Sequence, residues 1–229
     1  MTALHLLAIN FNLELVWEQR QLLWEAFLVT LRLFAVTLIV SIPPAALLAA
    51  ARAYGPAWLR LPITWFVYAA RSLPAVLLIL VIFYALPFVG PTFSAFVSVV
   101  LALAITQVVY FSEVFRGALK AVDTGQLEAS ASLGLRPWTI GWRVVGPQAA
   151  AVAAPTFTNS CIQLMQNTTI ASGVAVYDLL GRAQNIAVNS LDGTAVVLVA
   201  VVYVAVLVPF VRLARRLERQ VSIWHGRAS

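Results

Sequence analysis

Residues 27–51 read FLVTLRLFAVTLIVSIPPAALLAAA, an apolar run interrupted by one charge, Arg32. A buried core helix rarely needs about 18 uncharged residues in succession, whereas a bilayer-crossing helix does. The run therefore predicts a transmembrane helix. Arg32 near its end reads as a snorkelling side chain with its stem in lipid and its charge at the headgroups.

Four further runs of this kind follow, at 62–86, 93–114, 144–165 and 194–211, which predicts an all-α membrane protein of about five spans. Composition agrees. The 229 residues are 62% hydrophobic and 10% charged, with a mean hydropathy of +0.90, whereas a soluble domain carries about 25% charged residues. No cleavable leader is expected, because residues 1–10 lack a basic start followed by an apolar stretch and a small-residue cleavage site. With no repeat and no flexible linker, residues 1–229 read as one transmembrane domain. Pro43, Pro44, Pro74, Pro147 and Pro155 fall within or beside the spans, where each removes a backbone donor and bends a helix.

An odd number of spans puts the termini on opposite sides, and the basic residues choose between them. Arg52, Arg60, Arg116, Lys120, Arg136 and Arg143 cluster on one side with the 212–229 tail, which holds Arg212, Arg215, Arg216, Arg219 and Arg227. The other side holds mainly Glu14, Glu18, Asp178 and Asp192, with isolated Arg20 and Arg182. Lys and Arg mark the cytoplasm, so the N-terminus is expected outside and the C-terminus inside. Residues 1–25 form an external or interfacial segment, 123–141 a cytoplasmic loop and 212–229 a basic cytoplasmic tail. The net charge of +6 does not indicate nucleic acid, since the basic residues lie between apolar runs and form no single stripe. The single cysteine, Cys161, excludes an internal disulfide and reads as a packing residue. His5 and His225 lie near opposite termini and hold no metal together.

The cytoplasmic loop contains Val122-Asp-Thr-Gly-Gln126-Leu-Glu128-Ala129-Ser130-Ala-Ser-Leu133-Gly134-Leu135-Arg-Pro137-Trp138, amphipathic enough for a short helix that Gly134 ends and Pro137 keeps from continuing. This loop resembles that of the inner-membrane permeases of binding-protein-dependent ABC importers. The family reads Glu-Ala-Ala, three residues, Gly, nine residues and Ile-x-Leu-Pro. Here stand Glu128-Ala129-Ser130, Gly134 and Val144-Val145-Gly146-Pro147, with Ser130 for the second Ala and Gly146 for Leu. Further signposts resemble the polar amino acid branch: Arg71-Ser-Leu-Pro74, Tyr110-Phe-Ser-Glu113-Val-Phe-Arg116-Gly117, Gly125-Gln126, Pro147-Gln148-Ala149 and Asn167-Thr168-Thr-Ile170.

The resemblance implies a type I ABC importer permease (MetI-like) used as a homodimer or with a similar permease. It also implies an external amino acid-binding protein and a pair of separate ATPase subunits. Gln126, Glu128, Ala129, Ser130, Leu133, Gly134 and Leu135 would then form the coupling helix that docks on the ATPase. This sequence has no Gly-x-x-x-x-Gly-Lys-Ser/Thr loop. ATP and Mg²⁺ are therefore expected on the partner ATPase, with no cofactor bound by this chain and no catalysis within it. Gln166-Asn167 where the family commonly has Lys-Asp or Lys-Asn leans towards glutamate and aspartate members.

Polar groups inside spans cost roughly 2.5–3.5 kcal/mol each on insertion scales and usually face a partner or a wet cavity. Glu113 and Arg116 are three apart on a helix and can pair, while Thr106 and Tyr110 continue the Glu113 face outward. Thr156, Asn159, Ser160, Gln163, Gln166 and Asn167 recur at three- and four-residue steps on the fourth span. Arg71, Thr106, Tyr110, Glu113, Asn159, Gln163, Gln166, Asn167 and Thr168 are thus candidates for a substrate pathway. Internal ion pairs and helix glue are the competing readings for these residues. Asp178 belongs to the outer loop where the family's binding protein docks, or is simply solvated. An ion-gradient transporter or channel using Glu113, and a structural membrane subunit, are the alternative functions.

Overall fold

The structure, a computed structural model, describes residues 11–174 and 176–226, with side chains through residue 219. His5 and the first ten residues of the expected external segment lie outside the described residues, as does the end of the tail. Every regular element among the described residues is helical.

The chain opens with α1 (Leu13–Glu18), whose Asn12 cap accepts from the Leu15 amide at 3.0 Å. Its backbone N–H also reaches Thr194 Oγ1 at 3.0 Å, tying this segment to the start of the last helix. Trp17 and Trp24 are exposed. After Gln19 the chain enters α2 (Arg20–Tyr54), which runs unbroken through Pro43 and Pro44.

The second expected span is not one straight helix. It is α3 (Ala57–Ser72) and α4 (Ala75–Leu80), the latter continuing through a π-helical turn at Val81–Ala85 and a 3-10 turn at Leu86–Phe88, and the two halves meet at 95°. The cause is local: Pro74 cannot donate to the preceding turn, and the residue before a proline is driven out of the helical region. Leu73 accordingly sits at φ −91°, ψ 126°.

Helix α5 (Ala95–Lys120) starts at Ser94, whose hydroxyl accepts from the Val97 amide, and lies along α2 at the centre of the molecule. Their shared core contains Leu33, Val99 and Leu103, with Leu164 from the fourth expected span. The loop folds into α6 (Thr124–Ser132) and α7 (Pro137–Ile140). A π-helical turn at Gly141–Val145 then leads into α8 (Gly146–Asn167). A 3-10 segment, α9 (Leu179–Ser190) and the long α10 (Thr194–Gly226) complete the chain.

Among the described residues α2, α5 and α10 are each long and apolar enough to cross a membrane, and the bent α3–α4 pair supplies one more. The remaining expected span, α8, falls short of that apolar measure. Its 22 residues include Thr156, Asn159, Gln163 and Gln166, all on its exposed side. A helix of this composition needs protein or water beside that face.

Candidate functional site

Two features of the fold bear on function: a charged knot at one end of α2 and α5, and the loop helix α6 with the helix α8 that it touches.

Sequence spacing pairs Glu113 with Arg116, and the structure adds a partner from α2. Arg52 donates to Glu113 Oε1 at 2.5 Å while Arg116 donates to Oε2 at 2.6 Å. The Arg52 side chain is 5% exposed, and its Nε also donates to Thr64 Oγ1 on α3 at 3.2 Å. One carboxylate thus holds two guanidinium groups and draws α2, α3 and α5 together. Sequence reading places Arg52 in a loop as a marker of topology. Because α2 continues to Tyr54, it is instead a buried residue of the last helical turn, next to a residue 61 positions away. No local pattern carries that signal.

Of the other candidates on the first three spans, Arg71 and Tyr110 meet. Arg71, exposed in the last turn of α3, lies 5.6 Å above the half-buried ring of Tyr110, within cation–π range. Thr106 is buried and donates to the Ala102 carbonyl of its own helix at 3.0 Å. It lies on the same side of α5 as Tyr110 and Glu113 but deeper, buried where they are half-buried.

On α8, Asn159, Gln163 and Gln166 form one exposed face with Thr156, and Asn167 is half-buried. Asn159 reaches Glu218 of α10 at 3.5 Å. Thr168 is turned inward, its hydroxyl donating to the Met165 carbonyl at 2.7 Å. The face therefore brings together four amide or hydroxyl side chains that are exposed among the described residues. Amides both donate and accept, which suits the ammonium and carboxylate groups of an amino acid stripped of water.

The loop helix is built as its sequence suggests. Asp123 caps α6, its Oδ1 accepting from the Gly125 amide at 2.7 Å. At the other end Gly134 takes φ +73°, its amide reaching the Ala131 carbonyl at 2.9 Å and that of Leu135 reaching Ser130 at 3.3 Å. These are the two crossing bonds of a Schellman ending, which needs a left-handed residue at this point. Gln126, Glu128, Ala129, Leu133, Gly134 and Leu135 are exposed, Leu133 at 80%. Ser130 faces inward instead, donating to the Gln126 carbonyl at 2.6 Å.

The base of α6 is keyed to its neighbours. Leu127 packs on a cluster made by Ala118 of α5, Val122 just after that helix, Ile140 of α7, Val145, and Ala149 and Ala153 of α8. Gln148 of α8 donates to Gln126 Oε1 at 2.6 Å, so two of the sequence signposts are in contact. We expect Gly134→Ala to destabilise the α6 ending by roughly 1–2 kcal/mol, with hydrogen exchange quickening at Gly134 and Leu135. The cost is conformational, because a Cβ here would meet nothing within 4 Å.

Asp178 is not solvated: it is fully buried as the cap of α9. Its carboxylate accepts from the Gly181 amide at 3.0 Å and the Leu180 amide at 3.3 Å, while the Leu179 amide donates to Thr30 of α2 at 2.9 Å. Burial pushes the carboxyl from 3.8 up to about 6, against the opposing pull of those amides. The folded state thus binds this proton more tightly than the unfolded chain does. Stability from this group is complete below about pH 4 and declines as pH rises through about 6. Asp178→Asn keeps a capping acceptor and removes the buried charge. Thermal unfolding should show wild type and variant equal near pH 4, with the variant ahead by roughly 1–3 kcal/mol at pH 8. A difference independent of pH would refute this account.

A model of the family described as "Binding-protein-dependent transport system inner membrane component" matches residues 42–223. The probable glutamine ABC transporter permease protein GlnP of Bacillus subtilis (strain 168) is 33% identical over 205 residues, 88% of this chain and 94% of the relative. The L-cystine transport system permease protein TcyB of the same organism is 30% identical over 171 residues, 70% and 73% of the two chains. Among solved structures, a crystal structure of an amino acid ABC transporter with histidines superposes at a TM-score of 0.82 with 25% identity, covering 93% of this chain and 100% of that one. An inward-facing MetNI methionine ABC transporter, 20% identical, shares the fold at a TM-score of 0.69. By its sequence match across most of its length and by its helical architecture, this chain belongs to the inner membrane components of binding-protein-dependent transport systems, a family of permease subunits and not of enzymes.

Proposed function

We propose that this chain is the membrane-spanning permease of an ATP-driven importer for polar amino acids, with glutamate and aspartate as the narrower reading. Two copies, or one copy and a similar permease, enclose the pathway. A separate ATPase pair binds ATP and Mg²⁺, and an external binding protein delivers the substrate. The N-terminus faces outward and the C-terminus the cytoplasm of a bacterial inner membrane.

The observation that carries this reading is the arrangement of α6. Its base is locked to α5 and α8 by an apolar cluster and the Gln126–Gln148 hydrogen bond, while Glu128, Leu133 and Leu135 are left bare. Such a helix passes a push received at its bare face to α8, the helix with the exposed amide face. ATP-driven closure of the paired ATPases would draw the two α6 helices together and open the cavity outward, and hydrolysis would reset it inward. The family of the chain supports the pairing with an ATPase, and the names of GlnP and TcyB support amino acids as cargo.

Glu113 argues against the ion-gradient alternative. Both of its oxygens are occupied by guanidinium groups, so it offers a proton or sodium ion no free carboxylate.

The test is uptake by the complex reconstituted with its ATPase and binding protein. ATP-dependent accumulation of labelled glutamate, competed by aspartate, is the expected outcome. Competition by glutamine or cystine in place of aspartate would overturn the narrower reading, and uptake that follows an ion gradient without ATP would overturn the whole.

A further inference from the structure

The outward side of α10 changes chemistry along one stripe. Val197, Val201 and Val204 are 45%, 58% and 61% exposed, and steps of three and four residues carry the same face through Val208 to Arg212 and Arg215, with Arg216 at its margin. The opposite face is the packed one: Ala195, Val199 and Ala214 are buried, and Phe210 meets Phe34 edge-on at 6.4 Å. Neither Arg212 nor Arg215 has an ion-pair partner among the described residues. From Thr194 to Arg212 the helix rises about 27 Å, close to the ~30 Å thickness of the hydrocarbon layer. The valines therefore face acyl chains, and the arginines on the same line reach the adjoining headgroups.

We infer that Arg212 and Arg215 form a binding site for the phosphate of an anionic phospholipid whose acyl chains lie along Val201 and Val204. Continuity selects the occupant: a lipid already in contact with the valine stripe presents its headgroup at the two guanidinium groups. Arginine matches phosphate with paired N–H donors. A free phosphate ester would satisfy the charge and leave the valines unused. A second copy of this chain seated there would have to offer acidic groups beside an apolar face. The site needs only that this end of α10 lie at a headgroup layer, so it does not depend on the cargo or on the ATPase partner.

The full-length chain in zwitterionic phosphatidylcholine micelles, titrated with phosphatidylglycerol and followed by native mass spectrometry, tests this. Each arginine near a membrane surface contributes roughly a fivefold preference for anionic lipid. Arg212→Gln with Arg215→Gln should therefore weaken phosphatidylglycerol binding about thirtyfold. Arg136→Gln with Arg143→Gln, the same charge loss elsewhere, should leave it unchanged, and Arg212→Lys with Arg215→Lys should retain most of it. Equal weakening in both Gln pairs would reduce the effect to net charge and overturn the site. So would equal displacement by glycerol phosphate, which lacks acyl chains, or loss of self-association in the 212/215 variant without loss of lipid.

Discussion

Glu113→Leu is expected to destabilise the folded permease by about 3–5 kcal/mol, more than any other single substitution in the charged knot. The carboxylate is shared, so its removal strands Arg52, whose side chain is 5% exposed, with only the Thr64 hydroxyl to meet it. Arg52→Met should cost less, because Glu113 keeps its 2.6 Å bond to Arg116. Arg116 is 28% exposed and can turn to water, so its loss should cost least. The double variant Arg52→Met with Glu113→Leu should recover much of the loss, since an apolar pair of similar volume removes both desolvation penalties. Reversible unfolding of the four variants in mixed micelles reads the order directly. If Glu113→Leu lies within about 1 kcal/mol of wild type, the knot does not hold α2 and α5 together.

The second large effect concerns docking. Glu128→Lys combined with Gly134→Ala should leave the helix bundle folded and reduce both retention of the ATPase and ATP-coupled uptake by at least roughly tenfold, the equivalent of about 1.4 kcal/mol of lost binding. The lysine reverses the charge on the bare face of α6, and the alanine strains the left-handed turn that presents Leu133 and Leu135. Neither position touches the α2–α5 core. Unfolding of the isolated permease should therefore change by little more than the cost of the α6 ending, which separates lost docking from lost structure. Unchanged coupled uptake would remove α6 from the mechanism.

Much of this protein follows from patterns within one helix or one turn. The membrane environment follows from long apolar runs with at most one charge each, because a charge is costly in hydrocarbon. The end of α6 follows from Gly134, and the family from the spacing of Glu128, Gly134 and Pro147. The break at Pro74 is local too, although its consequence, a 95° turn inside an expected span, depends on how the two halves pack on α5. The amide face of α8 is visible as periodicity, but whether it points into the bundle or away is not.

What the residue order by itself determined is a helical permease with a capped loop helix, since caps and turns act within a few residues and hydropathy within one continuous run. Tertiary structure alone decided that Arg52 closes on Glu113, that Ser130 and Asp178 turn inward, and that the α8 face stays open. Those outcomes depend on which helices become neighbours, across 61 positions for Arg52 and Glu113 and across 22 for the Gln126–Gln148 contact beside Ser130. A helix's own periodicity says which residues share a side; its partners determine which side is buried.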